Sequence, residues 1–303
     1  MLKVLILMST YNGKEKIYKQ VDSIIHQTGV DSYIYIRDDG SEKETREVLK
    51  DLKSKYNDRI ILSFQKNVGW KQSFLELVHS SENEYDYYGF SDQDDIWFEK
   101  KLINCIQLAE KDTYSGPKLI HCNSLSVTSA LEERSEQETR IANPPTFKAA
   151  IATEYFQGCG MVWNNEAMRL IQRHKPHNKN LAHDYWAGLI CYLFGKVYFC
   201  DEPQFYHIRY DNNSSDDGNK NKGRVKRLKT LFLGGVAYMN PAKDLIDGYN
   251  DLLSDEEKVF LQYIVHYKEK LSYKVKLFTD KAFRKPSISA TALLKVAILM
   301  NKY

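Results

Sequence analysis

The chain has 303 residues, 43% of them hydrophobic, with 43 Lys and Arg against 40 Asp and Glu for a formal net charge of +3. This length can bury the core of one large domain or two, and so small a charge excess points to no polyanionic partner such as nucleic acid. The five cysteines (Cys105, Cys122, Cys159, Cys191, Cys200) form no C-x-x-C pair and are odd in number, so neither a disulfide framework nor a zinc knuckle is expected and a reducing cytoplasm fits. The opening MLKVLILMSTYNGKE has too short an apolar run for a signal peptide. No stretch reaches the roughly 18 to 20 apolar residues of a spanning helix, so a soluble or peripheral protein is expected.

In chain order, strands are predicted at 3–9, 33–38, 59–64, 86–91 and 118–123, separated by helical patterns at 15–27, 42–55, 70–80 and 99–111. That alternation is the signature of β-α-β units and places the chain in the α/β class. Ser41 followed by Glu44 matches a capping box, which leaves Asp38, Asp39 and Gly40 in the strand-to-helix turn. Segment 126–157 has weak periodicity and is expected to cross the sheet as a long, partly mobile connection. Helices at 165–174 and 184–194 follow, then strands at 196–200 and 204–209, then a polar loop at 210–223. Residues 224–303 read as helical, beginning with a basic amphipathic stretch.

Open α/β sheets bind ligands beyond the carboxyl ends of their strands. Thr10, Tyr11 and Asn12, then Asp38 to Gly40, then Asn67 to Gly69, then Asp92 to Asp95 all fall at such ends, so four polar clusters converge on one rim. The carboxylates of SDQDD repel one another, and a hard divalent cation, Mg²⁺ or Mn²⁺, relieves that repulsion while leaving positions for substrate phosphates. The alternative is a solvated turn in which Asp95 caps the next helix. Neither G-x-x-x-x-G-K-[ST] nor G-x-G-x-x-G after the first strand is present, which argues against ATP hydrolysis and dinucleotide oxidoreduction. QGCGMVWN (157–164), with Gln157 and Gly158, suggests backbone held close to a ligand or a packing turn. In LAHDYWAGL, Asp184 is suited to act as a general base or to cap a helix. His207 and Arg209 end a strand and could meet a phosphate.

Together, ILMSTYNGKEKIYKQVDSIIHQT, RDDGSEKET, NVGWKQSF and YGFSDQDDIWFEKKL resemble glycosyltransferase family 2 over about the first 110 residues, and QGCGMVWN and HDYW extend the match to about residue 210. The SDQDDIW form looks most like the branch containing bacterial rhamnosyltransferases. The resemblance implies a GT-A fold, a Rossmann-like mixed sheet flanked by helices, followed by a helical C-terminal extension. It implies a catalytic domain at 1–210, with a nucleotide-sugar half at 1–125 and an acceptor half at 126–210, then a mobile loop at 211–223 and a helical region at 224–303.

It further implies an inverting transfer from a nucleotide-diphosphate sugar to a hydroxyl of a glycan, lipid-linked or glycoprotein acceptor. Thr10, Tyr11, Asn12, Asn67 and Gly69 would lie along the donor, with Asp39 on the base. Asp92 and Asp94 would form the D-x-D pair facing ribose and metal, and Asp184 would be the catalytic base. Many relatives carry R-x-H where an ungapped match puts His207 and Arg209, so the two types are exchanged here; either could meet metal or diphosphate. A nucleotide-sugar hydrolase and a non-catalytic sugar-nucleotide-binding subunit are the rival readings. Trp70, Trp97 and Gln157 are expected to shape the sugar pocket. The basic stretch at 220–233 suits either an anionic membrane surface or packing on the catalytic domain, and the terminal helix suits a core or an oligomer interface.

Overall fold

The computed structural model describes residues 1–135, 137, 140–209 and 238–303. The predicted loop at 211–223 and the basic stretch at 220–233 lie outside these residues. The chain divides into two compact units, the first comprising 1–143, 156–175 and 182–211, the second 144–155, 176–181 and 212–303.

The first unit is built on β1 (Leu2–Thr10), β2 (Val30–Asp38), β3 (Ile60–Phe64), β4 (Tyr87–Ser91), β5 (Ile96–Trp97), β6 (Lys118–Val127), β7 (Met161–Asn164) and β8 (Lys196–Ile208). They form one sheet in the order β3-β2-β1-β4-β7-β6-β8-β5. β1 pairs in parallel with both β2 and β4, while β7 runs antiparallel to β4 and β6. The sheet is therefore mixed, and the chain leaves β1 in opposite lateral directions, the arrangement that opens a crevice at the carboxyl end of that strand. Val4 to Met8 are buried on both faces, as a central strand covered by helices requires.

Helices α1 (Lys16–Ile25), α2 (Lys43–Tyr56), α3 (Trp70–Ser80), α4 (Lys101–Glu110), α6 (Asn165–Gln172) and α7 (His183–Phe194) belong to this unit, and α5 (Phe147–Ala152) to the second. α1 buries Ile17, Gln20, Val21 and Ile24, and α2 buries Thr45, Val48, Leu49 and Leu52, the i, i+3, i+4, i+7 stripe that the sequence displays. The expected capping box is not formed. Ser41 Oγ instead accepts the Asn12 N–H (2.9 Å), Glu44 pairs with Lys14 (2.8 Å), and the Asn12 side chain caps α2 by accepting the Glu42 N–H (2.9 Å).

Two further expectations are corrected, and one strand is added to those expected. The strands at 196–200 and 204–209 are one strand, β8, whose pairing with β6 shifts register near Asn123. QGCG folds as a short 3-10 turn at Gly158–Gly160 leading into β7, a strand the sequence pattern did not reveal because it is only four residues long. Segment 126–157 is no bare connection: it completes β6 and then supplies α5 to the second unit, where Lys148 pairs with Asp280 (2.9 Å).

The second unit adds α8 (Ala242–Tyr249), α9 (Asp255–His266), α10 (Leu271–Thr279) and α11 (Ile288–Leu299). α9 starts at a complete capping box, Ser254 with Glu257. Phe147, Phe260, Phe283 and Tyr303 stack edge to face in sequence, and the Tyr267 hydroxyl donates to the Tyr303 carbonyl (2.9 Å). Among the described residues, no helix is long and apolar enough to cross a membrane.

Candidate active site

The first three polar clusters are laced together at the carboxyl ends of β1 and β2. Thr10 and Asp38 are register partners, and the Asp39 N–H donates to the Thr10 carbonyl (2.8 Å). Asp39 is buried; one carboxylate oxygen accepts from Arg37 and from Val68 N–H (2.9 Å), the other from Gly69 N–H (2.9 Å). Arg37, also buried, continues to Ser73 Oγ (2.9 Å) and the Lys66 carbonyl (3.2 Å). This knot fixes the Asn67-Val68-Gly69 loop over the turn, and the sequence reading missed Arg37. The pattern carried no signal for its burial, because its side of β2 is otherwise part-exposed, with Asp31, Tyr33 and Tyr35. Gly40 is required there, because its φ is +82° and a Cβ would lie 2.9 Å from the Asn67 nitrogen. Tyr11 and Trp70 are exposed at the rim.

The fourth cluster is tied to the same rim by Gln93. Its side-chain amide reproduces a peptide pairing with Tyr11, accepting from the Tyr11 N–H (3.0 Å) and donating to the Tyr11 carbonyl (3.2 Å). These two bonds tie the acidic loop to the residue that follows β1. Burial, then the charges of Asp95 and Asp94, raise the Asp92 carboxyl from 3.8 to about 7. Asp94 is raised to about 6, again by burial first and by Asp95 second.

Asp95 is buried and does not cap α4, whose N-cap position is Lys100. One of its oxygens meets His207 Nδ1 at 2.9 Å, while the other, Oδ2, is buried without a hydrogen-bond partner. Burial opposes the charged His207 ring, but the hydrogen bond to Asp95 and the charges of Asp95 and Asp92 outweigh it, so the imidazole is raised above 6.5. Asp95, Cys159 and His207 each offer a ligand atom within 4.8 Å of the others. The structure thus brings His207 to Asp95 rather than to Asp92 or Asp94. Arg209 is part-buried at the end of β8, close enough to His207 to oppose its charge.

Under the cluster lies Lys101, fully buried, its Nζ donating to the Cys159 carbonyl and resting on the Trp97 ring (3.3 Å to the centroid). Burial lowers its pKa. Trp97 accordingly belongs to the core and not to a pocket wall.

Asp184 enters from α7. The N-cap position is Ala182, so Asp184 is not the helix cap. It sits in the first turn, part-buried, accepting from Tyr185 N–H (2.8 Å) and from Gly158 N–H (3.2 Å), and its charge contributes to the raised Asp92. The Gly-rich turn therefore holds this carboxylate with its backbone, and Gln157 beside it accepts from Arg140 (3.2 Å). His183 stacks on Phe74 (3.9 Å) and meets Phe90 edge-on (4.5 Å); burial lowers it to about 4, so it is a neutral wall and not a base at neutral pH.

One buried and two part-buried carboxylates that repel one another, an orphaned oxygen and an adjacent imidazole form a donor set suited to a divalent cation. A family model for glycosyl transferase family 2 matches residues 5–190. The chain is 29% identical over 233 residues to the dTDP-rhamnosyl transferase RfbG of Shigella flexneri, covering 73% of this chain and 78% of that protein. Among solved structures, S. aureus TarS superimposes with a TM-score of 0.55 at 14% identity, over 92% of this chain and 46% of TarS. TarS 1-349 in complex with UDP-GlcNAc gives 0.54 at 13% identity, over 92% and 77%. These structural likenesses speak for the fold, the GT-A arrangement of a mixed sheet flanked by helices with C-terminal helices. With a family match spanning more than half of its length, the chain belongs to glycosyltransferase family 2.

Proposed function

We propose that this protein is an inverting glycosyltransferase that moves a sugar from a nucleotide-diphosphate donor to a hydroxyl of a glycan, lipid-linked or glycoprotein acceptor in bacterial surface polysaccharide or glycoprotein synthesis. The observation that carries this reading is the placement of Asp184, held by the Gly158 N–H, within electrostatic reach of Asp92 in the acidic loop. One carboxylate thus faces a cluster built for a cation and a diphosphate. dTDP-rhamnose is the preferred donor because RfbG, the relative matched over most of its length, is a dTDP-rhamnosyl transferase; a UDP-hexose is the alternative. The reaction is assigned to the cytoplasm, at the inner face of the plasma membrane.

In the proposed mechanism, Asp184 takes the proton of the acceptor hydroxyl. The acceptor oxygen forms its bond to the anomeric carbon as the bond from that carbon to the diphosphate oxygen breaks on the opposite face. The electron pair leaves with the nucleoside diphosphate and the configuration inverts. Asp92, Asp94, Asp95 and His207 would hold Mn²⁺ or Mg²⁺. When bound, the ion neutralises the diphosphate and stabilises charge on the departing group. Thr10, Tyr11, Asn12 and the Asn67–Gly69 loop, fixed by Asp39, line the donor side; Gln157, Gly158 and Arg209 complete it.

The test is a panel of dTDP-, UDP- and GDP-sugars screened by thermal shift with and without Mn²⁺, since a true donor stabilises the folded state by mass action. Asp184→Asn is then assayed for transfer. Donor binding that survives in a variant without turnover supports the assignment. Normal turnover by Asp184→Asn removes the base, and unaltered function in glycan assembly points to the non-catalytic subunit.

A further inference from the structure

The second unit carries an apolar surface that the proposed chemistry does not use. α11 (Ile288–Leu299) is apolar around most of its circumference, interrupted by Ser289, Thr291 and Lys295. One side buries Leu294, Ala297 and Ile298, while Ile288 (92% exposed), Val296 (40%) and Leu299 (51%) face outward and Met300 (37%) extends the row. Its single charged residue, Lys295, is turned inward, donating to the carbonyls of Leu277 (2.6 Å) and Asp280 (2.9 Å). A helix with so little polar surface normally has most of its apolar surface covered.

α10 (Leu271–Thr279) repeats the feature. Leu271, Val275 and Phe278 are 75%, 51% and 42% exposed, and their spacing of four and three residues sets them in one stripe. Lys274 donates to the Leu299 carbonyl (3.4 Å), which brings the flank of this stripe to the end of α11.

The charge around these stripes chooses what covers them. From residue 268 to the end, the sequence holds nine basic residues (Lys268, Lys270, Lys274, Lys276, Lys281, Arg284, Lys285, Lys295, Lys302) against two acidic ones, Glu269 and Asp280, and Glu256 joins Asp280 at Lys148 (3.7 Å). Asp280 is already paired with Lys148, and Lys268, Lys270, Lys276, Lys281 and Arg284 are exposed. A two-fold dimer through this face would set the same cations against their own copies. A bilayer surface bearing anionic headgroups would instead neutralise them while its acyl boundary takes up the apolar stripes.

We propose that the exposed faces of α10 and α11 dock this protein in the plane of an anionic membrane surface. The attachment is peripheral, since 12 residues of helix reach about 18 Å against a hydrocarbon core of about 30 Å.

The experiment is co-flotation of the full chain with phosphatidylglycerol/phosphatidylcholine vesicles and with pure phosphatidylcholine vesicles. Association with the anionic vesicles is expected to exceed that with neutral ones by more than about tenfold and to weaken in high salt. It should fall by a similar factor in the triple variant Leu271→Ser, Val275→Ser, Phe278→Ser and in the charge reversal Lys270→Glu, Lys281→Glu, Arg284→Glu. All six residues are surface-exposed, and a thermal melt checks that both variants fold. Equal partition to both vesicle types, no partition to either, or unaltered binding by both variants overturns the proposal. So does a concentration-dependent dimer in light scattering that the apolar variant dissolves while vesicle binding is absent.

Discussion

Replacing Asp92 with Asn should make the protein more stable while disabling it. The folded protein holds the Asp92 proton up to about pH 7, whereas the unfolded chain releases it near 3.8. Its contribution is therefore fully present below the unfolded value and is lost as pH rises through about 7. At about 1.4 kcal/mol per pH unit, the interval sets a ceiling of about 4 kcal/mol. Water reaching a part-buried side chain and the sharing of repulsion with Asp94 and Asp95 reduce this to about 1–2 kcal/mol. For a unit of this size, that corresponds to a rise of about 3–6 °C in melting temperature at pH 8. The gain should shrink to less than half at pH 5 and vanish below about pH 3, where the wild-type carboxyl is protonated in both states. Melts of wild type and Asp92→Asn across pH 3 to 8, without divalent ions, read this directly. A variant melting no higher than wild type at pH 8, or a gain that does not depend on pH, would refute the reasoning.

Mn²⁺ or Mg²⁺ should raise the melting temperature of wild type more at pH 8 than at pH 5, and the increment should be smaller in Asp94→Asn, measured by the same melts. Asp184→Asn should lower kcat by about 10²- to 10⁴-fold with donor affinity unchanged, checked by steady-state kinetics beside donor titration. Arg37→Met should destabilise by about 3–5 kcal/mol in urea unfolding, because it leaves Asp39 a buried charge without its partner. A thiol reagent should modify one of five cysteines rapidly in the native state and all five in guanidinium, since only Cys200 is not fully buried.

The β-α alternation was legible because each helix of the first half must lay one stripe on a sheet buried on both faces, and that requirement writes a period into the sequence. Short elements wrote none: β5 has two residues and β7 four, too few for a pattern to stand out. The Ser41 and Glu44 spacing satisfied a local rule, yet both side chains were taken by partners distant in sequence, Asn12 and Lys14. Local motifs state what a side chain can do, and the fold decides which of its offers is accepted.

From its sequence alone the chain already determined its class, its family and the crowding of carboxylates behind a buried strand, because these depend on residue types and spacings along the chain. Only the tertiary structure decided how the carboxylates divide: Asp39 is locked by Arg37 and the Gly69 loop, Asp95 takes His207, and Asp92 is left in the field of Asp184. Apart from Arg37 with Asp39, neighbours along one strand end, those pairings join residues 30 to 112 positions apart. Coulomb and hydrogen-bond energies depend on distance in space, which the order of residues does not contain.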